Sequence, residues 1–83
     1  MKTVIKYYTN NCAPCKTYTP AFQQVASQMP GVQFQSIDAS SGDSRILEHG
    51  IRNVPTTVVI DENGSVRKQS GAMSVEQLKA FIG

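Results

Sequence analysis

Apolar and β-branched residues run from Thr3 to Tyr8 with little alternation. Such a run predicts a central strand covered on both faces. After Asn10 and Asn11 the period changes. Phe22, Val25, Ala26 and Met29 fall at i, i+3, i+4 and i+7, which predicts one apolar stripe of a helix from Cys12 to about Met29. Pro14 lies in its first turn, where a missing N–H does no harm. Pro20 lies inside the pattern and predicts a kink, because proline removes a backbone bond and crowds the preceding turn. Pro30-Gly31 ends the helix. Val32 to Ile37 alternates, which predicts a strand half open to solvent at a sheet edge. Asp38 to Gly42 is a turn-rich loop; then Asp43 or Ser44 caps a short helix through about His49, and Gly50 terminates it.

Thr56 to Ile60 is a second buried strand. Glu62-Asn63-Gly64 predicts a hairpin, since Asn-Gly favours the positive φ angles of a tight turn. Ser65 to Gln69 returns, and Gly71 breaks the strand. Ser74 with Gln77 forms a capping box, and Val75, Leu78, Phe81 and Ile82 make the apolar face of a last helix. The order is β-α-β-α-β-β-α. The first β-α-β unit is expected to be a right-handed crossover with parallel strands. The hairpin adds two antiparallel strands. The expected fold is α/β, a four-stranded mixed sheet flanked by three helices on both faces.

Length adds that this is one small domain of 83 residues, residues 1–83, with a limited core. The longest apolar run, Val58 to Ile60, is far too short to span a bilayer. Lys2 precedes apolar residues, but neither the apolar core nor the cleavage site of a signal peptide follows. A cytoplasmic protein without a membrane role is expected. The net charge of +2 is mild, and the basic residues are scattered. A nucleic-acid role therefore has little support.

Candidate chemistry gathers in Asn11-Cys12-Ala13-Pro14-Cys15-Lys16, which holds both cysteines of the chain. C-x-x-C where a strand runs into a helix reads first as a redox dithiol. Half of a zinc site and two structural thiols are the competing readings. Zinc normally takes four protein ligands, and only two cysteines and a distant His49 are present, so no metal is expected. Cys12 sits at a helix start, where free N–H groups and the dipole favour a thiolate. Cys15, one turn on, is placed to reach a sulfur on Cys12. Cys12 would attack a disulfide and Cys15 would resolve the mixed disulfide. Pro14 stiffens the turn, and Lys16 adds a nearby positive charge or is simply solvated. His49 reads as a solvated residue near a helix C-terminus. Tyr7 and Tyr8 read as site-lining or core residues, and Met29 and Met73 as packing residues. Pro55 stands just before a buried strand, where it removes a ladder donor; most such bonds are trans.

Cys12-Ala13-Pro14-Cys15-Lys16, with Pro20 a turn further on, resembles the active site and kinked helix of thioredoxins. Gly50-Ile51-Arg52 through Val54-Pro55-Thr56 resembles the cis-proline segment of that family. Asn63-Gly64, Gly71-Ala72-Met73-Ser74 and Gln77-Leu78-Lys79 are similar to its closing hairpin and last helix. The resemblance covers almost the whole chain and implies a thioredoxin-like fold. It implies Cys12 as nucleophile and Cys15 as resolving thiol. It also implies a cis Val54-Pro55 bond facing them and a substrate groove including Ala13, Pro14, Val54, Pro55, Gly71 and Ala72. Pro55 would discourage metal binding between the cysteines.

The departures are specific. This sequence starts at the central strand, where the usual thioredoxin has an extra strand and helix before it; in shortness it resembles glutaredoxins. Asn11 stands where thioredoxins commonly have tryptophan. Lys6 occupies the position of the family's buried acid and is expected to be a proton-transfer or tuning residue, or to snorkel to the surface. Phe34 replaces the partner lysine of that acid. Asp38 is a candidate substitute, although a turn aspartate is the simpler reading. The expectation is a monomeric dithiol–disulfide oxidoreductase and electron carrier with no bound cofactor and a reversible Cys12–Cys15 disulfide. Its partners would be disulfide-containing proteins and thioredoxin reductase. The alternatives are a glutathione-dependent, glutaredoxin-like reductase and a non-catalytic binding module. The hairpin after Pro55 lacks the paired glycines and aspartate with which glutaredoxins hold glutathione.

Overall fold

A computed structural model describes all of residues 1–83. Strand β1 (Thr3–Tyr8) leads into helix α1 (Ala13–Gln28), then strand β2 (Gln33–Asp38) and helix α2 (Ser44–Glu48). Strands β3 (Thr56–Ile60) and β4 (Val66–Ser70) form a hairpin, and helix α3 (Val75–Ile82) closes the order. The sheet runs β2-β1-β3-β4. β1 pairs parallel with β2 and antiparallel with β3, and β3 pairs antiparallel with β4. The continuous run Thr3–Tyr8 is therefore an inner strand, and the alternating Gln33–Asp38 is an edge, as their patterns require.

Each inner strand sends alternate residues to opposite faces. On one face Val4 and Val59 pack with Tyr18, Phe22 and Val25 of α1, Leu78 and Ile82 of α3, and Met73. On the other, Ile5, Tyr7, Ile37 and Val58 pack with Ile46, Ile51, Val54 and Ile60. Tyr18 belongs to the buried stripe of α1, which begins at Cys15 rather than at Phe22.

The caps agree with the sequence. Ser74 and Gln77 exchange both bonds of the capping box. Asp43 caps α2, accepting from the Arg45 N–H and guanidinium, and these bonds hold its pKa down to about 2. Two details differ from expectation. The β3–β4 turn has positive φ at Gly64 alone, and Asn63 stays at negative φ. Gly64 N–H bonds Asp61 C=O, and Asp61 N–H bonds Ser65 C=O, so three residues form the loop instead of a two-residue turn. Finally, His49 is the C-cap of α2, but its side chain is only 5% exposed, because its Nδ1 is hydrogen-bonded to the Tyr7 hydroxyl at 3.0 Å. Tyr7 itself is fully buried core, on the sheet face away from α1.

Candidate active site

The register brings the sequence candidates to one end of the sheet. β1 ends at Tyr8, and the chain turns directly into the cysteine segment. β3 begins beside it, because Thr56 is paired with Tyr7 and, on its other side, with Ser70. Pro55 and Gly71, each one residue further along, therefore lie on the same rim. A backbone bond of 2.8 Å from Gly71 N–H to Pro55 C=O ties these two segments together. The Val54-Pro55 peptide bond is cis, and Pro55 is buried. Gly71 has φ +94°, a conformation that other residues rarely adopt, and Ala72 beside it is exposed.

Cys12 is the N-cap of α1, with extended backbone angles. Its Sγ accepts the Cys15 N–H at 3.1 Å, which satisfies one of the free donors of the helix start. The first turn carries no acidic residue, and Lys16 there is exposed. The partial positive charge of the helix end therefore acts on this sulfur unopposed. Cys15 is different. It heads the buried stripe of α1 and is 2% exposed. The two sulfurs are joined in a disulfide, with the Cα atoms 5.2 Å apart. Ala13 and Pro14 stand exposed between them.

Lys6 is 5% exposed, so it does not reach the surface. Its alternation along β1 points it at α1, where Nζ donates to Thr19 Oγ1 at 2.9 Å. Thr19 Oγ1 in turn donates to the carbonyl of Cys15 at 3.0 Å. Burial lowers the Lys6 pKa from its ordinary value. Asp38 ends β2 on the same rim, but both of its bonds go to Ser40, from the hydroxyl at 2.6 Å and the N–H at 2.9 Å. These bonds keep its carboxyl below the usual range. The pattern of the sequence did not single out Thr19. Its one signal is its position four residues after Cys15, where a threonine hydroxyl can reach back to the preceding turn.

No three His, Cys, Asp or Glu side chains lie together as a metal site would need. No helix is long and apolar enough to cross a membrane.

The whole chain, residues 1–83, matches the family model described as Thioredoxin. It is 30% identical over 82 residues to Thioredoxin C-3 of Corynebacterium nephridii, covering 99% of this chain and 57% of that protein. It is 28% identical over 81 residues to the thioredoxin of Mycoplasmoides gallisepticum, covering 98% of this chain and 81% of that protein. The chain thus spans little more than half of the first relative and about four fifths of the second. Among solved structures, oxidised mitochondrial thioredoxin 3 of Saccharomyces cerevisiae superposes with a TM-score of 0.86 at 28% identity, over 98% of this chain and 76% of that one. Fasciola hepatica thioredoxin gives 0.87 at 25% identity, over 98% and 77%. Fold, cysteine pair and relatives converge: the chain belongs to the thioredoxin family, and Cys12 and Cys15 form its one disulfide.

Proposed function

We propose that the protein reduces disulfides in other proteins, with Cys12 as the attacking thiol and Cys15 as the resolving one. The observation that carries this order is the contrast in setting. Cys12 is half-buried at a helix start with an N–H on its sulfur, whereas Cys15 is enclosed beneath it. A thiolate must meet the substrate, and only the outer sulfur can do so.

The Cys12 thiolate attacks one sulfur of the substrate disulfide. That S–S bond breaks, the other substrate sulfur leaves as thiolate and takes a proton from water, and a mixed disulfide remains on Cys12. The Cys15 thiolate then attacks Cys12 Sγ, forming the Cys12–Cys15 bond and releasing the second substrate thiolate. The substrate gains two electrons and the protein loses two. An external dithiol donor, a flavoprotein thioredoxin reductase, returns the protein to the dithiol. Ala13, Pro14, Val54, Pro55, Gly71 and Ala72 line the proposed groove, where the Val54 backbone pairs with an extended substrate segment. Lys16 beside the groove tunes the charge there. The protein acts as a monomer in the cytoplasm.

A disulfide-reduction assay with thioredoxin reductase, run beside one with glutathione and its reductase, tests the donor. Turnover is expected in the first; turnover confined to the second would replace this reading with a glutaredoxin-like one. Cys12→Ser is expected to abolish reduction, and Cys15→Ser to accumulate mixed disulfides with substrates, seen as adducts on non-reducing gels. Full activity in Cys12→Ser would sink the mechanism.

A further inference from the structure

Cys15 must become a thiolate to resolve the mixed disulfide, yet it is 2% exposed. Burial alone raises a thiol pKa and would leave it protonated. No carboxylate is in place to help. The carboxylates in ion pairs are Asp43, Glu48 and Asp61, all elsewhere; Asp38 is bound within its own turn; Glu62 and Glu76 are exposed, in the β3–β4 loop and the first turn of α3.

The charged group linked to the Cys15 turn is Lys6, whose Nζ bonds the Thr19 hydroxyl that is itself bonded to the Cys15 carbonyl, and its surroundings are unusual for a lysine. It takes part in none of the ion pairs of the chain. Its Nζ lies over the Phe22 ring at 5.1 Å and over the Tyr8 ring at 5.5 Å. Phe34 packs edge-on against Phe22, with centroids 5.4 Å apart, and fixes that ring. The faces of aromatic rings attract a cation without neutralising it. The remaining contact is the Thr19 hydroxyl, already bonded onward to the Cys15 carbonyl. Around Lys6, β1 contributes Tyr8 and α1 contributes Thr19 and Phe22; its register partners are Ser36 of β2 and Thr57 of β3. None of these is a carboxylate. The positive charge is therefore unneutralised in a setting where charge is weakly screened.

We propose that Lys6 is a positioning residue whose buried positive charge stabilises the Cys15 thiolate, so that resolution proceeds without a carboxylate base. The Phe22 and Tyr8 rings hold the ammonium, and Thr19 fixes it to the turn that carries Cys15. Stabilising the thiolate favours the reduced protein, so the same charge makes the disulfide more oxidising. The inference rests on the resolving role of Cys15 proposed above.

The test isolates Cys15. In Cys12→Ser, the Cys15 thiol is the only one left, and its ionisation is read directly from thiolate ultraviolet absorbance against pH. Adding Lys6→Met is expected to raise the Cys15 pKa by about one unit, a tenfold loss of thiolate at pH values below it. Lys6→Gln, polar but uncharged, is expected to do the same, and Lys6→Arg to keep the original value. An unmoved pKa in whichever of the neutral variants folds would overturn the proposal, as would an arginine variant that titrates like them. In the protein with both cysteines, the neutral variants are expected to have a more negative reduction potential at a pH where the Cys15 thiolate forms. Disulfide reduction by the unaltered protein is measured separately, so loss of the Lys6 inference leaves the oxidoreductase reading standing, and the reverse is equally visible.

Discussion

Lys6 and Tyr7 are neighbours in sequence, both buried, and point to opposite faces of the sheet. On the Tyr7 side the polar group is answered in kind: its hydroxyl is bonded to His49, whose other nitrogen lies 3.7 Å from the Glu48 carboxylate. On the Lys6 side the charge meets two rings and one hydroxyl, with no counter-charge. The covers differ as well. Lys6 lies under α1 against Phe22 of the larger apolar cluster, while Tyr7 lies under α2, a helix of five residues that buries none of its own side chains completely. The thick face carries the larger apolar cluster, and it also holds the one buried lysine. A lysine kept charged and unpaired in the interior, bonded through Thr19 to the turn of Cys15, is the kind of residue a functional constraint retains.

Three measurements sharpen the contrast. Leu78→Ala, at a fully buried position of the thick face, is expected to cost about 2–5 kcal/mol in denaturant unfolding. Ile46→Ala, from the half-buried face of α2, should cost clearly less. Equal losses would mean that the two faces carry equal weight. Next, Tyr7→Phe removes the bond to His49 and should lower stability by about 1 kcal/mol, the usual worth of one such hydrogen bond. A neutral result would show that the polar group under α2 is as idle in energy as it is well satisfied in geometry.

Lys6→Met should act in the opposite direction and raise the unfolding midpoint at neutral pH, by an amount smaller than the Leu78 loss. The sign follows from the lowered pKa, which desolvation causes. A lysine whose pKa is lower folded than unfolded destabilises the folded chain while it is charged, below the folded pKa. That penalty fades as pH rises from the folded pKa toward the unfolded value of 10.5. The advantage of Lys6→Met should therefore shrink as the pH approaches that value. A pH-independent gain would assign the effect to packing alone.

Much of this architecture was legible in the residues. The switch from the continuous run Thr3–Tyr8 to a helical period marked β1 and α1, and the Ser74–Gln77 capping box marked the start of α3. The cysteine pair announced itself by spacing and by its place at a helix start. Side chains whose burial depends on a partner distant in sequence were not legible. Lysine carries a long apolar stem, so Lys6 could have snorkelled; only the rings of Tyr8 and Phe22 and the hydroxyl of Thr19 decide that it stays inside. His49 read as solvated because nothing local reveals that α2 lays it against Tyr7. Asn63-Gly64 promised a two-residue turn, but the register Ile60–Val66 left room for a longer loop with only Gly64 at positive φ.

The β3–β4 loop has a practical consequence. It lies beyond the Ile60 end of β3, beside Thr3 at the start of β1, whereas the cysteines follow the other end of that strand. A strand of five residues separates this loop from the rim tied together by Gly71 and Pro55, roughly 17 Å at about 3.3 Å per residue. Glu62, Asn63 and Gly64 are all exposed there. They form a handle at the far pole of the molecule, where a fluorophore or a surface tether can be attached while the sulfurs remain free to meet a partner.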